Sequence, residues 1–141
     1  MKIELYTVDV PKSLFLPYVE NGISAGFPSP ALDFEDTKID LNKEIIKHPL
    51  STYYGRVRGV SMKNAGIDDG DIMVIDKSIK PTDGCIAICF IDGEFTAKRL
   101  LIRKDEIILM PENDDYSPIT VTKDNEFIVW GVVTHVIKSF K

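Results

Sequence analysis

From Tyr53 to the C-terminus the chain is a succession of strand-length apolar stretches separated by turn residues, and few architectures accommodate that rhythm. The stretches are Tyr53 to Arg58, Asp71 to Asp76, Cys85 to Ile91, Glu94 to Ile102, Glu106 to Met110, Ile119 to Thr122 and Phe127 to Ile137. Asp69-Gly70, Asp83-Gly84 and Asp92-Gly93 punctuate them, and Asp92-Gly93 is the clearest hairpin signal. Many short strands at near-regular spacing predict a mainly β domain, barrel-like or sandwiched. Met62 to Ala65 has room for a single helical turn.

Residues 1 to about 40 have a different texture. Pro11, Pro17, Pro28 and Pro30 interrupt any helix longer than two turns, because proline lacks the backbone donor and clashes with the preceding turn. A helix-turn-helix therefore does not fit, and the expected organisation is an N-terminal arm over 1–40 followed by a β-rich domain over 41–141. Between Asp36 and His48 the pattern Ile39, Leu41, Ile45, Ile46 suits a short strand and a helical turn capped by Asp40 or Asn42.

At 141 residues a chain can bury an ordinary core without metals or disulfides, and no cofactor is expected. A net charge of −5 argues against direct DNA binding, which rests on clustered Lys and Arg. There is no apolar run of about 18 residues to span a bilayer. Met1-Lys2-Ile3-Glu4-Leu5-Tyr6 lacks the apolar core of a signal peptide, so a cytoplasmic location is expected. Cys85 and Cys89 are four residues apart on one candidate strand, too far for a disulfide and wrongly spaced for a metal pair; they are expected to be packing thiols. His48 precedes Pro49, which biases it toward extended geometry at the surface. Neither it nor His135 has an acidic residue at a motif-like position, so a Ser-His-Asp triad is the weaker option.

The chemistry that the residues permit centres on Ser61, in Gly59-Val60-Ser61-Met62, and Lys98, in Glu94-Phe95-Thr96-Ala97-Lys98-Arg99-Leu100. A serine hydroxyl becomes a good nucleophile when a neighbouring base takes its proton, and a lysine serves as that base only when its amine is neutral. Bringing a lysine from about 10.4 to near 7 requires about 4 to 5 kcal/mol, which full burial supplies. On a strand Lys98 shares a face with Thr96, Leu100 and Ile102, a mostly uncharged surface suited to desolvating an amine. By these residues alone, a serine in such a turn is usually just a turn residue and a lysine beside Arg99 on a strand usually a solvated edge charge.

Three stretches carry a family resemblance: Gly59-Val60-Ser61-Met62, then Ile67-Asp68-Asp69-Gly70-Asp71, then Gly93 to Leu100 with its Thr96-Ala97-Lys98-Arg99. Together they resemble the self-cleaving peptidase domain shared by LexA-type repressors and UmuD-type mutagenesis proteins. Ala25-Gly26-Phe27-Pro28-Ser29-Pro30 resembles the family's cleavage-site region, and Tyr116-Ser117-Pro118-Ile119-Thr120 a downstream segment. The resemblance runs from about Gly22 to the C-terminus. One departure is Val60, where the family often has an acidic residue that is not catalytic.

The resemblance implies the barrel-like β fold of LexA and signal peptidases with an extended N-terminal arm. It implies Ser61 as nucleophile, Lys98 as general base, and Ala25-Gly26 as the scissile bond. Glycine allows close backbone approach there, and alanine fills only a shallow pocket. Backbone N–H groups near Ser61, those of Ser61 and Met62, would stabilise the oxyanion. The implied partners are a second copy of the chain, a RecA filament on single-stranded DNA as activator, and a UmuC-type translesion polymerase served by the processed dimer. The long run from Phe127 to Ile137, with Trp130, and the closing Ser139-Phe140-Lys141 offer apolar surface for the dimer, although a core strand would read the same way. The chain from Gly26 to Ser61, at about 3.3 Å per residue, permits cleavage within one chain or across a dimer. Three other classes remain: a signal-peptidase-like enzyme, which would need a membrane anchor; the peptidase domain of a LexA-like or phage repressor; and a non-cleaving β-rich binding module.

Overall fold

Alternating apolar and polar residues become strands because one face of each can be buried while the ladder satisfies the backbone. The computed structural model of the chain describes residues 2–8, 15–17 and 38–141. The expected scissile pair Ala25-Gly26 and the prolines Pro11, Pro28 and Pro30 lie outside the described residues. The chain divides into two units, Met1–Val8 with His48–Lys141, and Asp9–Lys47.

The first unit is one antiparallel sheet of eight strands: β1 (Lys2–Thr7), β4 (Thr52–Arg58), β5 (Ile72–Asp76), β6 (Ile86–Ile91), β7 (Glu94–Ile102), β8 (Ile107–Met110), β9 (Ile119–Thr120) and β10 (Phe127–Ile137). Their order is β1-β4-β5-β10-β6-β7-β8-β9. The last strand in sequence is thus central in space. One half of β10, Val132–Ile137, pairs with β5, while Phe127–Val132 pairs with β6, with register shifts at Val129/Gly131 and Val133/His135. Such irregularities bend a strand and increase its twist, and the sheet curls into a half-barrel. The fold is mainly β, as the sequence predicts, and the expected strands from β4 to β10 occur within a residue or two of their predicted ends.

Two clusters form the core. Val57, Met62, Ile67, Met73, Ile75, Ile88 and Ala97 make one, with Ile3, Phe95, Trp130 and Val136 packed against it. Ala87, Cys89, Ile91, Leu100 and Leu109 make the other. Neighbours Ile88 and Ala87 belong to different clusters, so β6 and β7 are covered on both faces. Trp130 packs against Tyr53 and Phe95, with ring centroids 5.0 and 5.4 Å away. It serves the core, whereas Ile128, Ile137 and Phe140 leave apolar area on the surface.

Asp92-Gly93 joins β6 to β7 with φ of 48° and 83°, the left-handed pair that a two-residue hairpin of matching twist requires. Asp and Gly tolerate those angles at low cost, which is why the sequence signal is strong.

In the second unit, β2 (Phe15–Pro17) pairs antiparallel with β3 (Lys38–Asp40). Helix α1 (Leu41–Ile45) follows directly. The Asp40 carboxylate accepts the Asn42 N–H at 3.1 Å, so Asp40 is the cap.

His48 does meet a carboxylate, one supplied by the fold rather than by a local motif: its Nδ1 lies 2.5 Å from Asp76 Oδ2. The serines nearby, Ser51 and Ser78, donate to Asp76 Oδ1 at 3.3 and 2.6 Å. Among the described residues no serine hydroxyl bonds the imidazole, so this is a structural knot and not a triad. Burial works against ionisation of Asp76, but the Ser78 and His48 bonds outweigh it and hold the carboxyl below its ordinary value. Its stabilising contribution is therefore complete above the unfolded pKa of about 3.9 and is lost as pH falls toward the lower folded value. Asp76→Asn is expected to cost about 1 to 3 kcal/mol at pH 7. In urea melts across pH, that difference should shrink below about pH 4; a constant difference would assign the cost to shape alone.

Candidate active site

Ser61 sits on the turn between β4 and a 3₁₀ turn at Lys63–Ala65, the single helical turn expected there. The chain leaves β4 through Gly59, whose φ of 112° is open to glycine and strained for a side chain. Gly59 N–H donates to Asp69 Oδ1 at 2.8 Å, and Gly70 N–H to the Val57 carbonyl at 2.8 Å. The Asp69-Gly70 turn therefore holds the base of the Ser61 turn.

Two residues after β8 hold its other side. Asn113, itself buried, donates from Nδ2 to the Val60 carbonyl at 2.8 Å and accepts the Asp115 N–H on Oδ1 at 3.0 Å. The Glu112 carbonyl accepts the Asn64 N–H at 2.7 Å, while the Glu112 carboxylate pairs with Arg99, the residue after Lys98. Arg99 also donates to the Gly84 carbonyl at 2.6 Å. Glu112 thus ties the Ser61 turn and strand β7 to a single point. Sequence reading missed Glu112, Asn113 and Arg99, because Pro111-Glu112-Asn113 shows locally only as a turn after a strand.

Ser61 is 1% exposed, and among the described residues its Oγ is the one buried side-chain polar atom with no hydrogen-bond partner. A buried hydroxyl in that state costs about 1 to 3 kcal/mol, and native folds rarely retain one without a use for it. Among the described residues, the N–H groups of Ser61 and Met62 also make no hydrogen bond.

Lys98 lies mid-strand on β7, opposite Ala87 of β6. It is 7% exposed, and Nζ donates to Thr96 Oγ1 at 3.0 Å. Thr96 and Leu100 flank it, both buried, and Cys89 stands opposite Thr96. Burial pushes the amine below its ordinary value, against the weaker opposing pull of Glu94 and Cys89. The lysine is therefore no solvated edge charge. Ser61 and Lys98 are not hydrogen-bonded to each other here, since the amine is engaged by Thr96 and the hydroxyl is free.

Both cysteines are free thiols. Burial, then the proximity of Cys85, pushes Cys89 up to about 12 despite the nearby Lys98, which leaves it a thiol at neutral pH and a poor nucleophile. No group of His, Cys, Asp or Glu among the described residues forms a metal site. No helix among them is long and apolar enough to cross a membrane.

Asn113 gives a direct check on the turn. Asn113→Ala removes a buried amide's bond to the Val60 carbonyl and is expected to cost about 1 to 3 kcal/mol in denaturant melts.

The peptidase S24-like family profile matches residues 17–134. Over 121 residues the chain is 44% identical to the protein MucA of Salmonella typhimurium, covering 85% of this chain and 82% of that one. It is 45% identical over 113 residues to the protein SamA of Salmonella typhimurium, covering 80% and 78%. To the LexA repressor of Bordetella avium it is 33% identical over 126 residues, covering 89% of this chain and 58% of the repressor. With the Ser61 turn built on the curled β-sheet and a family match over most of its length, the chain belongs to the peptidase S24-like family, the self-cleaving serine peptidases of the UmuD type.

Proposed function

We propose that the chain cuts its own Ala25-Gly26 bond, with Ser61 as nucleophile and Lys98 as general base. The observation that carries this reading is the pairing of extremes in one domain: a buried serine hydroxyl without a partner, and a buried lysine whose amine is biased toward neutrality. A serine–lysine mechanism needs both. In the proposed reaction Lys98 turns from Thr96 to Ser61 and takes the hydroxyl proton as Oγ bonds to the Ala25 carbonyl carbon. The free N–H groups of Ser61 and Met62 receive the oxyanion, and the ammonium returns its proton to the Gly26 nitrogen as the C–N bond breaks. Water then hydrolyses the acyl-serine.

The segment that carries Ala25-Gly26 is the substrate and the β-rich domain the enzyme, so the effective concentration of substrate is high whenever that segment docks. Such an enzyme needs a gate more than affinity. A RecA filament on single-stranded DNA is the proposed activator in the response to DNA damage. The processed homodimer then serves a UmuC-type translesion polymerase in the cytoplasm. Similarity to MucA and SamA over about four-fifths of their lengths favours this role. The second reading, a repressor's peptidase domain, draws on the likeness to LexA repressor, of which the chain matches 58%.

The test is intact mass after incubation of the purified chain at rising pH. Fragments 1–25 and 26–141, appearing faster as pH rises, are expected; an unchanged mass at every pH rejects the peptidase reading. Adding RecA filaments should accelerate the cut at neutral pH, and no acceleration would remove the proposed activator.

A further inference from the structure

The N-terminal segment is a strand of the main sheet. β1 pairs with β4 over six residues, from Lys2 opposite Arg58 to Thr7 opposite Tyr53. It stands at the end of the sheet order, held by that one ladder.

The fit is specific. Ile3 and Leu5 share one face of β1, opposite Val57 and Gly55; Ile3 packs on the cluster of Val57, Met62, Ile75 and Ala97, while Leu5 lies over Gly55 and stays 38% exposed. Gly55 makes the niche: a Cβ there would lie 3.0 Å from Ile3 Cγ2, 3.6 Å from Leu5 Cδ2 and 2.8 Å from Ile75 Cδ1. The absent side chain at 55 is what lets β1 lie close. On the outer face Glu4 stands opposite Arg56 and pairs with Arg58 at 3.6 Å. Tyr6 closes an apolar pocket with Tyr54, Arg56, Ile72 and Ile137. A slip of one residue would turn Glu4 onto the core and Ile3 to water, so the register is chosen by the side chains.

We propose that the β4 edge is a strand-acceptor site whose ligand is the chain's own first residues, so that a cut at Ala25-Gly26 leaves the leader bound until another extended strand replaces it. This rests on the cleavage reading above. The cut severs the covalent link between β1 and β4 but none of the ladder between them. A displacing strand must carry aliphatic side chains at alternate positions for the Gly55 niche and an acidic one between them for Arg56 and Arg58, the chemistry of β-strand addition. While the leader stays seated, this edge and its apolar niche remain closed to partners.

The test separates strand retention from self-cleavage. In the full chain carrying Ser61→Ala, a recognition sequence for a site-specific protease, flanked by Gly-Ser spacers, is inserted between Ala25 and Gly26 and cut by that added enzyme. Native mass spectrometry and gel filtration are expected to show one leader bound per body. The same chain with Ile3→Asp and Leu5→Asp should lose most of its leader on cutting. A synthetic peptide of residues 1–8 should displace the wild-type leader, and the peptide with both aspartates should not. In the uncut chain, amide hydrogen exchange should be slow along β4 and faster in the Ile3→Asp, Leu5→Asp variant. A leader that elutes free from a folded body, or β4 exchange indifferent to the two aspartates, overturns the proposal. Neither result depends on whether the unmodified chain cuts itself.

Discussion

Ser61→Ala is expected to stop self-cleavage completely and, at the same time, to make the protein more stable. The two effects have one cause. The Ser61 hydroxyl is buried without a partner, so folding strips it of water and returns no hydrogen bond. Deleting that oxygen relieves a penalty of about 1 to 3 kcal/mol, less a small loss of packing, for a net gain of about 1 kcal/mol. An ordinary buried serine, bonded at the end of a turn, would behave oppositely, losing stability on truncation. Urea melts of wild type and variant at the same pH decide the matter. A clear loss of stability in Ser61→Ala would mean that the hydroxyl has a structural partner in solution and is not held ready for chemistry.

Lys98 is expected to show the complementary behaviour, read through pH. Removing a general base costs about 10²- to 10⁴-fold in rate, so Lys98→Ala and Lys98→Met should both leave only residual cleavage. In the wild type the rate should climb with pH to a midpoint below the ordinary lysine value of 10.5, because burial depresses the amine. Stability follows from the same shift. Between the folded and unfolded pKa values the unfolded chain binds more protons at this site, so the wild type gains stability as pH rises through that window. Below the window the buried site carries the full penalty of a desolvated charge. Lys98→Met, which keeps the volume and drops the charge, should therefore be more stable than wild type at low and neutral pH, with its advantage shrinking toward pH 10.5. A rate profile centred at or above 10.5, or an advantage that grows with pH, would show an amine that solvent reaches freely.

The two sets of measurements bear on one another. A free hydroxyl and a depressed amine each reduce stability, and a fold retains such features where function draws on them. In this structure the amine is held by the Thr96 hydroxyl.

Much of the architecture was legible along the chain. Strands β4 to β10 follow from alternation and β-branched content, and Asp92-Gly93 follows from the two left-handed residues that a tight hairpin needs. The Asp40 cap was equally local, since a carboxylate two residues ahead of an unsatisfied N–H needs no help from elsewhere. Strand β1 has a local signal too, since Lys2-Ile3-Glu4-Leu5-Tyr6 alternates, but the proline-rich stretch after it masks that signal and makes residues 1–40 read as one arm. The bond between His48 and Asp76 left no trace in local spacing, because its partners are 28 residues apart.

What the sequence alone determined is therefore what neighbours along the chain can enforce: where strands begin and end, where the turns fall, and that one face of each strand is apolar. Tertiary structure decided which strands meet. It placed β10 between β5 and β6, seated β1 in the gap beside Gly55, and braced the Ser61 turn with Glu112 and Asn113. Above all it decided the state of two side chains. Whether a lysine keeps its proton and whether a hydroxyl finds a partner depend on the dielectric and the acceptors around them, and those come from parts of the chain that periodicity cannot bring together.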